Sequence, residues 1–234
     1  MNILITGASS GVGFEAVLEL VLNSKSKVVA LARSEEKLRK LQKIAITLNP
    51  GCILHPKQFD IIHDDYDTKL VPFVKKYLGS IDILINNAGA LVNKPFEELS
   101  QLDFVDMLQH NFLGHVKIIQ HMLPYMNKNS HIVNIGSMGA FQGSARFPGL
   151  LAYSASKAAL HSLTESLAIE LDYKKIKVNC LALGSAQTEM MEQAFPDYKS
   201  PITASEMGKF ISEFALTGHK FFNGKIIPVA VTTP

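Results

Sequence analysis

Asn2-Ile3-Leu4-Ile5-Thr6-Gly7-Ala8-Ser9-Ser10-Gly11-Val12-Gly13 stands at the start of the chain and decides how the rest is read. An apolar, β-prone run stops at Thr6 and small residues follow. A helical period then begins at Val12, with Val17, Leu18, Val21 and Leu22 on its apolar stripe. The glycine spacing is G-x-x-x-G-x-G. Small residues at such a point let the backbone pass close to a pyrophosphate. The helix that follows offers free N–H groups and the positive end of its dipole. A glycine triplet alone also fits a tight turn, but its place between a first strand and a first helix points to a dinucleotide.

Outward from this stretch the same alternation repeats. The apolar runs predict strands at 2–6, 27–32, 52–59, 81–85, 131–135, 176–182 and 225–231, with 52–59 weakened by Pro56. Helical periods cover 12–22, 34–48, 64–78, 102–126, 152–172 and 203–216, with breaks at Pro72 and Pro124. Strands that read as continuous apolar runs are buried on both faces, as in a parallel sheet covered by helices. No linker or short-period repeat divides residues 1–234, so one α/β domain is expected, with a short substrate flap around 189–201.

Composition excludes several classes. Among 234 residues, 47% are hydrophobic and 19% charged, which is too apolar for a disordered chain. Twenty-three basic against twenty-one acidic residues leave a net charge of +2, so no electrostatic case for binding nucleic acid arises. Cys52 and Cys180 are far apart and in no metal-like spacing; neither a disulfide framework nor a metal site is expected. No basic n-region begins the chain and no apolar run approaches a membrane span, so a soluble cytoplasmic protein is expected, without membrane attachment.

Five further stretches carry chemistry-bearing residues in a fixed order. They are Asn86-Asn87-Ala88-Gly89, Asn111 within His110-Asn111-Phe112-Leu113-Gly114, and Asn134-Ile135-Gly136-Ser137. Tyr153-Ser154-Ala155-Ser156-Lys157 and Leu183-Gly184-Ser185-Ala186-Gln187-Thr188 follow. A Tyr and a Lys four apart on a helix are common by chance, and a Ser at a strand end is commonly a cap. The joint occurrence is not common. With Thr6-Gly7-x-x-x-Gly11-x-Gly13, the set resembles the short-chain dehydrogenase/reductase family, in its short branch.

That resemblance implies a Rossmann-type, doubly wound parallel sheet of seven strands. It implies catalytic roles for Asn111, Ser137, Tyr153 and Lys157. It further implies nicotinamide-cofactor contacts at Gly7, Ser9, Ser10, Gly11, Val12, Gly13, Asn87, Ala88, Gly89, Gly184 and Thr188, with Asp60 and Ile61 near the adenine. Ser137 would orient the substrate oxygen, Lys157 would hold the nicotinamide ribose, and Asn111 a water linking Lys157 to solvent. Relatives pair through the helices that hold Asn111 and Tyr153, so a homodimer or homotetramer is expected.

The residues themselves support this chemistry. Tyr153 and Lys157 share one helix face. A phenol titrates near ~10, and a nearby ammonium favours its ionised form, so Tyr153 can exchange a proton with a carbonyl or alcohol oxygen. The second strand ends Ala30-Leu31-Ala32-Arg33, with no acid to bind a ribose 2′-OH and a guanidinium suited to a 2′-phosphate. NADP(H) is therefore the expected cofactor. NAD(H) stays open because Ser10 replaces the basic residue that the NADP branch often carries before the middle glycine.

The expected activity is hydride transfer between NADP(H) and a small-molecule or carrier-linked carbonyl, as in a ketone or 3-oxoacyl reductase. The competing reading is a catalytically silent NADP(H)-binding sensor or scaffold, which would need the glycine loop but not Tyr153. Three departures from the family pattern touch the substrate side. Leu183-Gly184 replaces Pro-Gly, the stretch between Ser137 and Tyr153 is longer than usual, and the usual aspartate and paired glycines after the last strand are missing.

Overall fold

The computed structural model describes residues 1–23 and 25–231. Its strands are β1 (Asn2–Thr6), β2 (Lys27–Ala32), β3 (Ile53–Gln58), β4 (Ile81–Asn86), β5 (Met126–Ser137), β6 (Lys177–Leu183) and β7 (Ile226–Val229). They form one seven-stranded sheet in the order β3-β2-β1-β4-β5-β6-β7. Every pairing is parallel. Strand order reverses between β1 and β4, which opens a crevice at the carboxyl ends of those strands, where open α/β sheets take ligands.

Side chains alternate between two cores. Ile3 and Ile5 of β1 face one layer with α1 (Gly11–Asn23), α2 (Glu35–Leu48) and α8 (Ala204–Thr217). Leu4 faces the other, with α3 (Val71–Tyr77), α5 (Gly114–Met122) and α6 (Leu151–Glu170). Burial on both sides explains why β1 reads as an unbroken apolar run and β4 as one interrupted at Asp82 alone. Two shorter helices, α4 (Gln101–Leu108) and α7 (Glu189–Ala194), complete the set. No helix among the described residues is long and apolar enough to cross a membrane.

Three elements differ from the sequence expectation. The helix expected over 102–126 is two helices, α4 and α5, joined by a π turn at Gln109–Leu113 that carries Asn111. Pro124 lies beyond both, in a 3₁₀ turn. β5 begins at Met126, five residues before the expected start, and slips register between Ile81 and Ile83. Its polar beginning is held by side chains: Asn127 Nδ2 donates to Asp82 at 2.7 Å and the Ser130 hydroxyl to the Ile81 carbonyl at 2.8 Å. The last strand ends at Val229, short of the expected 231, with Pro228 on the sheet edge, where a missing N–H removes no ladder bond. Pro72 fits for a related reason, since it lies in the first turn of α3, after a π turn at Tyr66–Leu70.

Candidate active site

The glycine loop is built against the end of β4. Gly7 and Gly11 hold φ of +68° and +57°, a region that side chains rarely adopt. A Cβ on Gly7 would stand 2.7 Å from the Ala88 Cα, and one on Gly13 would overlap the Asn87 amide and the Gly7 carbonyl. The Thr6 hydroxyl accepts from the N–H groups of Asn87 and Ala88, both at 3.0 Å. Asn87 Nδ2 donates back to the carbonyls of Thr6 and Gly7 at 3.1 and 3.0 Å. The Asn87 side chain is thus spent on fixing the loop. Ser9, Ser10 and Val12 line the loop half-buried, and Thr188 places its methyl 3.3 Å from where a Gly11 Cβ would sit.

Two other glycines are small for packing reasons. A Cβ on Gly89 would lie 2.7 Å from Asn111 Oδ1 and 3.5 Å from Lys157 Nζ. One on Gly184 would lie 2.9 Å from the Ala230 side chain, because Gly184 abuts the end of β7.

Ser137 ends β5, and Tyr153 and Lys157 lie in the first two turns of α6. Lys157 is buried and donates to the Ile135 carbonyl at 2.7 Å, with its Nζ 6.0 Å from the Tyr153 ring centroid. Burial pushes the ammonium down to about 8. Burial also pushes the Tyr153 phenol up, opposed by a hydrogen bond with the Ser137 hydroxyl. The pair therefore rests as a protonated phenol over a buried lysine. The lowering of the phenol by lysine charge, expected from spacing alone, is not seen: desolvation dominates, and the opposing influence is the Ser137 hydroxyl.

Asn111 is fully buried. Its Oδ1 accepts from the Ala90 N–H at 3.0 Å, and its Nδ2 donates to the Ala90 carbonyl at 2.9 Å and to the Ser156 hydroxyl at 3.0 Å. The π turn brings this amide against the loop after β4 at Ala90, with Gly89 between Asn111 Oδ1 and Lys157 Nζ. Such turns recur at functional sites.

The ends of β2 and β3 complete the crevice. Arg33 is exposed directly after β2. Asp60 is desolvated, yet the N–H groups of Ile62 and His63 and the His63 ring hold its carboxyl below its ordinary value. Ile61 is buried against Gly114 at the start of α5. Thus Asp60 caps the turn after β3, and Ile61 anchors it.

The partners of several residues near the motifs could not be read from the sequence. Asn134 accepts from Asn86 at 2.8 Å and donates to Thr164 at 2.9 Å, a buried chain linking β4, β5 and α6. His161 lies one turn beyond Lys157 on the same face, and its Nε2 and the Cys180 Sγ both abut Gly136. Burial depresses His161 to about 4 and His115 to about 3 and raises Cys180 to about 12, so all three are neutral near pH 7. The i, i+4 spacing from Lys157 was the available signal for His161. No cluster of three or more metal-ligating side chains occurs among the described residues.

The rim of the crevice is made of loops tied together by side chains. Asn93 donates to the Ala194 carbonyl at 2.7 Å, which joins the loop after β4 to α7. Ser185 meets the Tyr198 hydroxyl at 3.0 Å, and Ser200 meets Ser185 at 3.1 Å. Met190 and Tyr198 are 42% and 45% exposed, so the 189–201 segment offers apolar surface at the rim alongside its polar ties. Beside Tyr153, a groove of about 700 Å³ is lined by Phe96, Phe147, Leu151, Ser154, Ala155 and Ala158.

Residues 1–199 match the family model described as short chain dehydrogenase. The chain belongs to the short-chain dehydrogenase family. An uncharacterised oxidoreductase of Staphylococcus saprophyticus is 34% identical over 189 residues, covering 80% of this chain and 79% of that protein. The 3-oxoacyl-[acyl-carrier-protein] reductase of Thermotoga maritima is 34% identical over 192 residues, 81% of this chain and 76% of its own. Among solved structures, a short-chain oxidoreductase of Pseudomonas aeruginosa PAO1, with NADPH bound and an atypical catalytic center, superposes with a TM-score of 0.86. It is 25% identical and covers 97% of this chain and 94% of its own. The chain is accordingly an oxidoreductase of the short-chain dehydrogenase family.

Proposed function

We propose that this oxidoreductase is an NADP(H)-dependent carbonyl reductase of ketone or 3-oxoacyl type, with Tyr153 as its proton donor. One observation carries the reading: a half-buried phenol, its proton held by desolvation, touches the Ser137 hydroxyl beside a buried lysine. The cofactor fits the residues present. Gly7 and Gly13 leave no room for a side chain beneath the loop, and the exposed Arg33 follows a β2 whose last residue, Ala32, is not acidic. Gly7, Gly11, Gly13, Ser9, Ser10 and Thr188 would hold the pyrophosphate, and Arg33 a 2′-phosphate. When bound, the reduced nicotinamide supplies a hydride to the carbonyl carbon.

The chain's own residues then manage the oxygen. Ser137 donates a hydrogen bond to the carbonyl oxygen and fixes its position. Tyr153 gives its proton to that oxygen as negative charge develops there. Lys157 stands near enough to favour the phenolate left behind. A protonated Tyr153 is the form that can donate to a carbonyl oxygen, as reduction requires. Similarity to the Thermotoga 3-oxoacyl reductase and the NADPH-bound Pseudomonas enzyme supports the substrate and cofactor classes. Exposed Leu102, Val105, Leu108 and Leu113, beside Asn111, support pairing of two copies through this face.

Tyr153→Phe tests the assignment. Turnover should fall by ~10²–10⁴ while NADPH still binds. Binding is followed by cofactor fluorescence, since the chain has no Trp. An unchanged rate would refute the proton transfer and favour a silent sensor. Arg33→Ala should cost about 1.5–3 kcal/mol of NADPH binding with little loss for NADH. Equal losses would remove Arg33 from the phosphate site.

A further inference from the structure

The sequence lacks a second basic residue for a 2′-phosphate at Ser10, and the fold offers a different one. Lys37 lies in the first turn of α2, where its N–H bonds the Ser34 cap at 3.3 Å, four residues after Arg33. Its Nζ is 2.8 Å from Glu189 Oε2. Glu189 begins α7 directly after Thr188, whose methyl lies against Gly11. The ion pair therefore ties the helix after Arg33 to the flap helix, beside the mouth of the glycine loop. Both side chains are substantially exposed, at 47% and 64%. Lys37 chiefly, with help from Lys40, holds the Glu189 carboxyl below its ordinary range.

An exposed carboxylate–ammonium pair is weak. A phosphate monoester carries close to two negative charges and three strong acceptor oxygens. A 2′-phosphate drawn to Arg33 would compete with Glu189 for the same ammonium and would be served by two cations where Glu189 has one close partner. We propose that Lys37 is the second cation for the cofactor's 2′-phosphate and that Glu189 is the anion it releases, so that NADP(H), but not NAD(H), unlatches the flap helix. This rests on the NADP(H) reading above. It makes Glu189 a built-in competitor that lowers NADP(H) affinity in return for coupling cofactor identity to the substrate cover.

The test is a double-mutant cycle read by NADPH and NADH fluorescence on the full chain. Lys37→Met should weaken NADPH about two- to five-fold, and Glu189→Gln should tighten it by a similar factor, the range expected for exposed charge pairs. NADH affinity should move less than about two-fold in both. In the Lys37→Met background the gain from Glu189→Gln should vanish. Parallel changes for NADH, a gain that persists without Lys37, or no change at all would overturn the proposal. A wild type that binds NADH at least as tightly as NADPH overturns the cofactor reading and this inference with it. A preference for NADPH that depends on Arg33 but ignores the cycle overturns this inference alone.

Discussion

The glycine loop and the expected flap, residues 189–201, come together where Thr188, just before that segment, touches Gly11, yet they are held by different means. The loop is fixed by main-chain atoms, by glycines with no room to grow, and by buried Thr6 and the Asn87 amide. The flap segment is held by scattered polar contacts, such as the Asn93 amide to the Ala194 carbonyl and the exposed ion pair Lys37–Glu189. The first arrangement is preorganised and has one solution. The second opens locally at small cost, as regions poor in buried apolar contacts do. A nucleotide common to many enzymes suits the rigid half, and a variable substrate suits the adjustable one.

Acid should act on neither region directly but on the packed core beneath both. Buried His115, His131 and His161 lie in α5, β5 and α6, whereas neither the glycine loop nor the segment 189–201 contains a histidine. Desolvation holds these rings neutral when folded, down to about 3 for His115 and about 4 for the other two. Unfolded, each takes up a proton near ~6.5. Their folded values are depressed, so the stability they contribute is intact above pH ~6.5 and is lost as pH falls toward 4. Each should contribute a slope of about 1.4 kcal/mol per pH unit in that window. Thermal melts between pH 6.5 and about 5.5 measure it above most of the range where the carboxylates titrate. A flat profile would mean that the rings are not buried as neutral groups, and His161→Leu should remove one histidine's share.

Gly13→Ala is the next largest test. The new methyl would overlap the Asn87 amide and the Gly7 carbonyl, neither of which can move without undoing the loop. Overpacking of this kind costs about 1–3 kcal/mol, or a Tm loss of about 2–10 °C. Cofactor binding should fall with it. Met190→Ala, in the exposed part of the flap, should change stability by less than about 0.5 kcal/mol. Comparable Tm shifts would erase the distinction between the regions.

The same contrast explains what could be read in advance. Residues 2–13 declare a strand, a loop and a helix through short-range rules, and Tyr153 and Lys157 declare a shared face through helical spacing. Roles that depend on distant partners were not legible. The π turn at Gln109–Leu113 breaks a sequence whose helical period is uninterrupted, because the cause is the fit of Asn111 against Ala90 and Ser156. The beginning of β5 carries no apolar period and is held by Asn127 and Ser130. Asn87 belongs to a cofactor motif, but which of its atoms are spent on Thr6 and Gly7 emerges only once β1 and β4 are adjacent. Lys37 and Glu189, 152 residues apart in sequence, left no mark in it.

Asn93→Ala is the smallest and most discriminating change. Its amide bond to Ala194 is exposed, so its loss should cost no more than about 0.5–1 kcal/mol of flap closure and little global stability. If the flap only covers the substrate, it binds ground state and transition state alike. KM should then rise about two- to five-fold with kcat unchanged, the pattern of lost uniform binding. The rise should be largest for ketones long enough to reach the rim. A fall in kcat equal to the fall in kcat/KM would instead mean that the strap positions the carbonyl against Ser137 and Tyr153. The flap would then belong with the rigid half despite the exposed bonds that hold it.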